Sequence, residues 1–272
     1  MVLKVPLADT GFYVSRLCFG TEPFTFKKGP EGAKIQGDIE PEEGGRRLKQ
    51  AYELGVNFWD TSDDYGTHPH VAEGLKLVPR GEVAVADKTN SLSYEDGWNA
   101  LDLATEDLGT DYIDVMFLHI VPPIGSNRKD SQGNPYYSGT LEERKGTLKA
   151  FLEAKESGVI RATALSTHST KVLRQVASEP DVDIVCTTLN KAHGFIDDGS
   201  LEEHIEAIRL VKESGKFVYV IKLLNAGKLR NSAEEAIKYA YQFHDFVDAW
   251  NIGMYGPDDV RKNLSLMDQV IK

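Results

Sequence analysis

Only two cysteines, Cys18 and Cys186, stand in this chain of 272 residues. Two thiols cannot build a disulfide framework or a four-thiolate metal site. Both lie among apolar neighbours, so each is expected as a buried free thiol, which suits a reducing compartment. No run approaches the roughly 18 apolar residues that a membrane helix needs. The first residues lack a basic segment followed by a long apolar one, so no signal peptide is expected. Positive charge is also scarce: 31 Lys and Arg face 42 Asp and Glu, a net charge of −11. That balance argues against a partner made of nucleic acid or anionic membrane. A hydrophobic fraction of 41% excludes a wholly disordered chain. The expectation is a cytoplasmic protein of enzyme size.

What is present is alternation. Short apolar runs at 15–20, 56–60, 83–88, 113–119, 161–166, 184–190, 217–222 and 249–253 read as strands. Helical patterns follow at 41–54, 70–77, 94–108, 141–157, 170–177, 201–214 and 233–242, and a last one begins at 257. Ser169, Thr170 and Ser232 are placed to cap helices, and Gly55, Gly158 and Gly215 to end them. The strands are continuous apolar runs, as in a parallel sheet covered by helices on both faces. No G-x-G-x-x-G turn follows the first strand, which disfavours an open doubly wound sheet. The fold class expected is α/β, a single-domain (β/α)8 TIM barrel. Two long connections, 21–40 and 120–140, follow strands and so belong to the C-terminal face, where barrel enzymes build their sites. Tyr136 and Tyr137 in the second are placed either to face a hydrophobic substrate or to pack the loop down.

Three neighbouring strands end in polar residues: Asp60, Lys88 and His119. Tyr65 follows on the loop just above Asp60. Parallel strands lie about 4.8 Å apart, so the three tips are within reach of Tyr65. A phenol ionises near pH 10, too high to release its proton readily at neutral pH. A neighbouring ammonium is expected to lower that value, with the aspartate holding the lysine charged. The histidine can orient a carbonyl. The set suits a tyrosine acid facing a carbonyl oxygen that is receiving hydride. Each residue alone reads more readily as a cap, a surface charge or a loop anchor; it is the four falling at consecutive tips, in order, that favours the chemistry.

The stretches Asn57-Phe58-Trp59-Asp60-Thr61-Ser62-Asp63-Asp64-Tyr65-Gly66 and Leu108-Gly109-Thr110-Asp111-Tyr112-Ile113-Asp114-Val115-Met116-Phe117-Leu118-His119 resemble signature segments of the aldo-keto reductases. So does Val14-Ser15-Arg16-Leu17-Cys18-Phe19-Gly20-Thr21. The resemblance implies an (α/β)8 barrel with a short N-terminal hairpin closing its bottom. It also implies a catalytic tetrad of Asp60, Tyr65, Lys88 and His119, and reduction of a small-molecule aldehyde or ketone with NADP(H) or NAD(H). Cofactor contacts are expected from Thr21, Asp60, Ser166, Lys222, Met254 and Asn263, and no metal. Family positions after the fifth strand depart from the usual pattern. Thr167 stands where Asn is usual, Cys186 about where Gln is usual, and Asp259 near an Arg that clamps a 2′-phosphate.

Two other functions compete. The altered cofactor positions suit a non-catalytic barrel with a regulatory or binding role. The triplet His68-Pro69-His70, joined by His119, suits metal-dependent hydrolysis, although a surface position is the plainer reading of the pair.

Overall fold

The computed structural model describes residues 2–28, 34–126 and 138–271. Tyr136 and Tyr137 therefore lie outside the described residues. The chain opens with strands β1 (Lys4–Pro6), β2 (Tyr13–Ser15) and β3 (Leu17–Gly20), then β4 (Phe26–Lys28) and β5 (Lys34–Gln36). It continues through α1 (Pro41–Glu53), β6 (Phe58–Asp60), α2 (His68–Leu75), β7 (Ala84–Thr89), α3 (Tyr94–Leu108) and β8 (Ile113–Leu118). Next come α4 (Lys145–Ser157), β9 (Ile160–Thr167), α5 (Thr170–Val176), β10 (Ile184–Thr188) and α6 (Leu201–Glu213). The chain ends with β11 (Phe217–Ile221), α7 (Ala233–Tyr241), β12 (Ala249–Gly253) and α8 (Pro257–Val270).

Eight of these strands close into a parallel barrel in the order β3, β6, β7, β8, β9, β10, β11, β12, with β12 pairing back onto β3. This is the expected (β/α)8 barrel. Antiparallel pairing of β1 with β2 forms the N-terminal hairpin. Its Leu7 and Val14 are fully buried against Cys18, Phe58 and Phe217 at the barrel floor. The apolar run at 15–20 thus splits at Arg16, one side joining the hairpin and the other the barrel. A second antiparallel hairpin, β4 with β5, occupies part of the 21–40 connection and was not legible as strand.

Alternation along each strand sorts the core into two populations. Outward residues such as Trp59, Val85, Leu118, Leu165 and Trp250 pack against the helices. Inward residues fill the barrel, and most are small: Cys18, Ala84, Ala86, Ala162, Ala164, Cys186 and Ala249. The larger Phe58, Phe117, Phe217 and Tyr219 occupy the room these leave. Both thiols are free and buried.

Helix ends follow local chemistry. Ser169 Oγ accepts from Val172 N, and Ser200 with Glu203 forms a reciprocal capping box. Ser232 does not cap; its hydroxyl turns back toward the Leu229 carbonyl. Gly55, Gly158 and Gly215 all take the left-handed conformation that ends a helix. Helix α4 starts at Lys145, four residues later than its apolar pattern, because Arg144 leaves the helix path. Its buried guanidinium donates to the carbonyls of Thr89, Ser91 and His119 at 2.6, 2.9 and 2.9 Å. That one side chain ties together the C-terminal ends of β7 and β8. Among the described residues no helix is long and apolar enough to cross a membrane.

Candidate active site

The strand tips meet as their spacing predicts. Asp60 is the last residue of β6, Lys88 sits one before the end of β7, and His119 immediately follows β8. Parallel pairing sets Asp60 beside Ala86 and Lys88 beside Phe117, so every second residue, including Asp60 and Lys88, points into the barrel mouth.

Lys88 Nζ donates to Asp60 Oδ1 at 2.7 Å and also to the Thr61 carbonyl. Lysine and aspartate are both buried. Burial opposes the lysine charge, but the Asp60 carboxylate outweighs it and the ammonium is held above the ordinary lysine range. The other Asp60 oxygen, Oδ2, accepts from the Tyr219 hydroxyl at 2.8 Å. Sequence reasoning missed Tyr219, a tyrosine inside an apolar strand that reads as core.

Tyr65 rides on the loop after β6. The Thr25 hydroxyl donates to its carbonyl at 2.6 Å, and the hydroxyls of Thr21, Thr61 and Thr67 link behind it at 2.7 and 2.8 Å. The loop is therefore pinned and its ring lies between two partners. Lys88 Nζ is 4.8 Å from the ring centre. His119 meets the ring edge-on, with centroids 6.2 Å apart at 81°. The Tyr65 phenol is held well above the ordinary tyrosine range, by burial first and then by the charges of Asp60, Glu22 and Asp64. Its net direction is opposite to the lowering that the sequence suggested for a lysine neighbour. Buried His119 faces Ser62 Oγ at 3.4 Å and Asp64 at 3.8 Å through Nδ1.

A cleft of about 320 Å³ runs from Asp60 and Tyr65 across Gly20, Asn251 and Gly253 to Lys222, Arg230 and Tyr255. Ile221, Leu223, Leu224 and Ile252 supply apolar wall. A β-carbon on Gly20 would fall 2.4 Å from Asn251 Oδ1, so the floor is bare backbone there. Lys222 lies just beyond β11 with φ +61° and opens the loop that forms the cleft's far bank.

The other expected cofactor residues do not line this cleft. Thr21 is buried and donates to the Asp60 carbonyl at 2.8 Å. Ser166 accepts from Ile120 N at 2.7 Å. Met254 is fully buried, and Asn263 lies within α8 with a buried Oδ1 that has no hydrogen-bond partner. Cys186 sits below the mouth, its thiol pushed up to about 12 by burial and then by Asp60. In the first turn of α8, Asp259 accepts from Tyr255 N at 2.8 Å and Asp258 pairs with Arg261.

His68, His70 and His119 do not converge, which removes the hydrolase constellation. His68 bridges Asp87 at 3.1 Å and Asp107 at 3.3 Å, while His70 donates to the Ile39 carbonyl at 2.7 Å. Among the described residues, Asp63, Asp64 and His119 bring ligand atoms within 4.8 Å of one another.

Known proteins resemble the chain throughout. A sequence model described as "Aldo/keto reductase family" matches residues 16–251. L-galactose dehydrogenase of Arabidopsis thaliana is 24% identical over 237 residues, covering 82% of this chain and 66% of its own length. The chain thus spans less than two thirds of that relative. An aldo-keto reductase from Bacillus halodurans superposes with TM-score 0.72 at 21% identity, covering 98% of this chain and 91% of its own. A Bombyx mori aldo-keto reductase in complex with NADP superposes with TM-score 0.70 at 16% identity, covering 98% and 88%. With a family match running from the first barrel strand to the last, on a barrel shared along its whole length, the chain belongs to the aldo/keto reductase family.

Proposed function

We propose that this protein is an NAD(P)H-dependent oxidoreductase that reduces an aldehyde or ketone to an alcohol, with Tyr65 as the proton donor. The observation that carries this reading is the buried Asp60–Lys88 pair lying against the Tyr65 ring at the barrel mouth. The sugar in the name of the Arabidopsis relative makes a polyhydroxy aldehyde the first substrate class to try.

The cleft suits a dinucleotide by its donor set. Lys222 and Arg230 offer positive charge for a pyrophosphate, the apolar wall offers packing for rings, and the bare Gly20 backbone lets a flat group approach. The nicotinamide cofactor, when bound, supplies hydride to the carbonyl carbon. The carboxylates of Asp258 and Asp259 in the first turn of α8 oppose a 2′-phosphate there and favour NAD(H).

The chain's own part is proton delivery. Tyr65 keeps its proton at neutral pH because burial and nearby carboxylates hold the phenol high, so the protonated form is the one that meets the substrate. It passes that proton to the carbonyl oxygen as negative charge gathers there. Lys88 offsets the phenolate charge that is left behind. Asp60 keeps the ammonium charged and fixed, and His119 directs the carbonyl oxygen toward the phenol. The hairpin and the packed interior keep the barrel floor dry.

Tyr65→Phe tests this. Cofactor consumption with a simple aldehyde is expected to fall by about 10²–10⁴-fold, while fluorescence titration shows the same affinity for NADH and NADPH as the parent. A variant that keeps its rate overturns the mechanism.

A further inference from the structure

The buried carboxylate of Asp60 has two oxygens, and Lys88 uses one of them. We propose that Tyr219 is a positioning residue for the Asp60–Lys88 pair, fixing the carboxylate by donating its hydroxyl to Oδ2 from across the barrel. The kinetic part of this proposal rests on the carbonyl-reductase reading above.

Tyr219 is the central residue of β11 and is fully buried. Strand β11 is separated from β6 by β12 and β3, so the side chain must cross the interior to reach Asp60. The small residues on neighbouring strands make that crossing possible. Cys186 and Ala249 are its register partners on either side, and Cys18 lines the path. Two aromatic rings hold it in place. Phe58 meets the Tyr219 ring edge-on at 5.6 Å and Phe117 at 5.5 Å. The hydroxyl ends 2.8 Å from Asp60 Oδ2.

The chemistry of this contact reaches Tyr65 through one carboxylate. A buried carboxylate oxygen without a donor is costly and free to turn. The Tyr219 hydroxyl removes both problems and draws Asp60 charge toward the barrel floor. Less of that charge then faces Tyr65, whose phenol Asp60 otherwise holds up. The other ionisable groups around the Asp60–Lys88 pair are Cys18 and Cys186 inside and Asp87 beside the lysine, with Tyr65, Glu22, Asp64 and His119 at the mouth. Tyr219 itself stays protonated, because burial and then Asp60 hold its phenol well above the ordinary range.

Tyr219→Phe keeps the ring and removes only the donor. The expected result is a fall in kcat on the order of tenfold. The aldehyde KM and the cofactor Kd should stay within about twofold, and the alkaline limb of the kcat profile, followed above about pH 10, should move to higher pH than in the parent. A role in packing alone would lower the melting temperature and leave kcat and the pH profile where they were, and that outcome overturns the proposal. A crystal structure of the variant gives a readout without turnover: the Asp60 carboxylate should rotate away from its present plane and loosen from Lys88. If the parent protein reduces no carbonyl, the reductase reading falls, and this structure alone decides the positioning role. An Asp60 carboxylate unchanged in orientation and in its distance to Lys88 overturns it.

Discussion

The ammonium of Lys88 lies 4.8 Å from the centre of the Tyr65 ring, yet its own charge is already answered by Asp60. The ring therefore sees a neutralised pair more than a bare cation. Burial and the carboxylates of Asp60, Glu22 and Asp64 then decide the direction of the phenol, which is upward. In the proposed reaction the lysine would count at the moment when the phenol has lost its proton and needs a positive neighbour.

Replacing Lys88 by Met removes that neighbour and strands Asp60 as a buried, half-partnered anion. Breaking a buried ion pair from one side costs about 3–5 kcal/mol, so the variant should melt well below the parent as well as lose reductase activity. Adding Asp60→Asn should restore part of the melting temperature and none of the activity. Thermal unfolding of the single and double variants, with an aldehyde-reduction assay, checks both halves. Equal melting temperatures for parent and Lys88→Met would contradict the pairing.

With Tyr65 as the proposed donor, its raised phenol would set the alkaline behaviour. A proton donor works below its own ionisation, so a value above the ordinary tyrosine range extends the working plateau upward. Reduction rates measured from neutral to about pH 10 should show no descending limb assignable to an ordinary phenol. A limb centred well below that range would mean that Lys88 wins after all.

His68 predicts a stability change of definite sign. Burial works against its charge, but Asp87 and then Asp107 overcome this and carry the imidazole up from 6.5 to about 9. A raised value in the folded state means stability that is complete below the unfolded value of 6.5 and is lost as pH climbs through about 9. The contribution is about 3 kcal/mol at most. Urea unfolding of the parent and of His68→Gln should differ most at about pH 6 and converge at about pH 10. Curves that stay parallel across the range would rule this linkage out.

Gly20→Ala probes the cleft floor. The added carbon would sit 2.4 Å from Asn251 Oδ1 and 3.2 Å from the Ile252 carbonyl, so the Asn251 side chain must move into the cleft. Nucleotide affinity by fluorescence titration should weaken by about tenfold, with the far-ultraviolet spectrum unchanged. Unaltered affinity would mean that the cofactor does not cross Gly20.

Much of this architecture can be read from the residues themselves. The barrel follows from apolar runs regularly spaced between helical patterns, and Asp60, Lys88 and His119 stand out because each closes an apolar run with a polar side chain. Tyr219 does not stand out, because a tyrosine inside Phe217–Ile221 reads as packing. Only the barrel's closure shows that it reaches Asp60. Arg144 hides in the same way, since an arginine before a helix reads as solvent-facing until its three carbonyl partners are in view. The His68-Pro69-His70 pair misleads for a geometric reason. Residues two apart on a helix do not face each other, so α2 sends one ring toward Asp87 and the other toward Ile39.

The N-terminal hairpin has a consequence at the end of the barrel opposite the cleft. Leu7 and Val14 pack on Cys18, Phe58 and Phe217, so a chain trimmed ahead of Ser15 would bare that apolar patch to water and should unfold at a lower temperature.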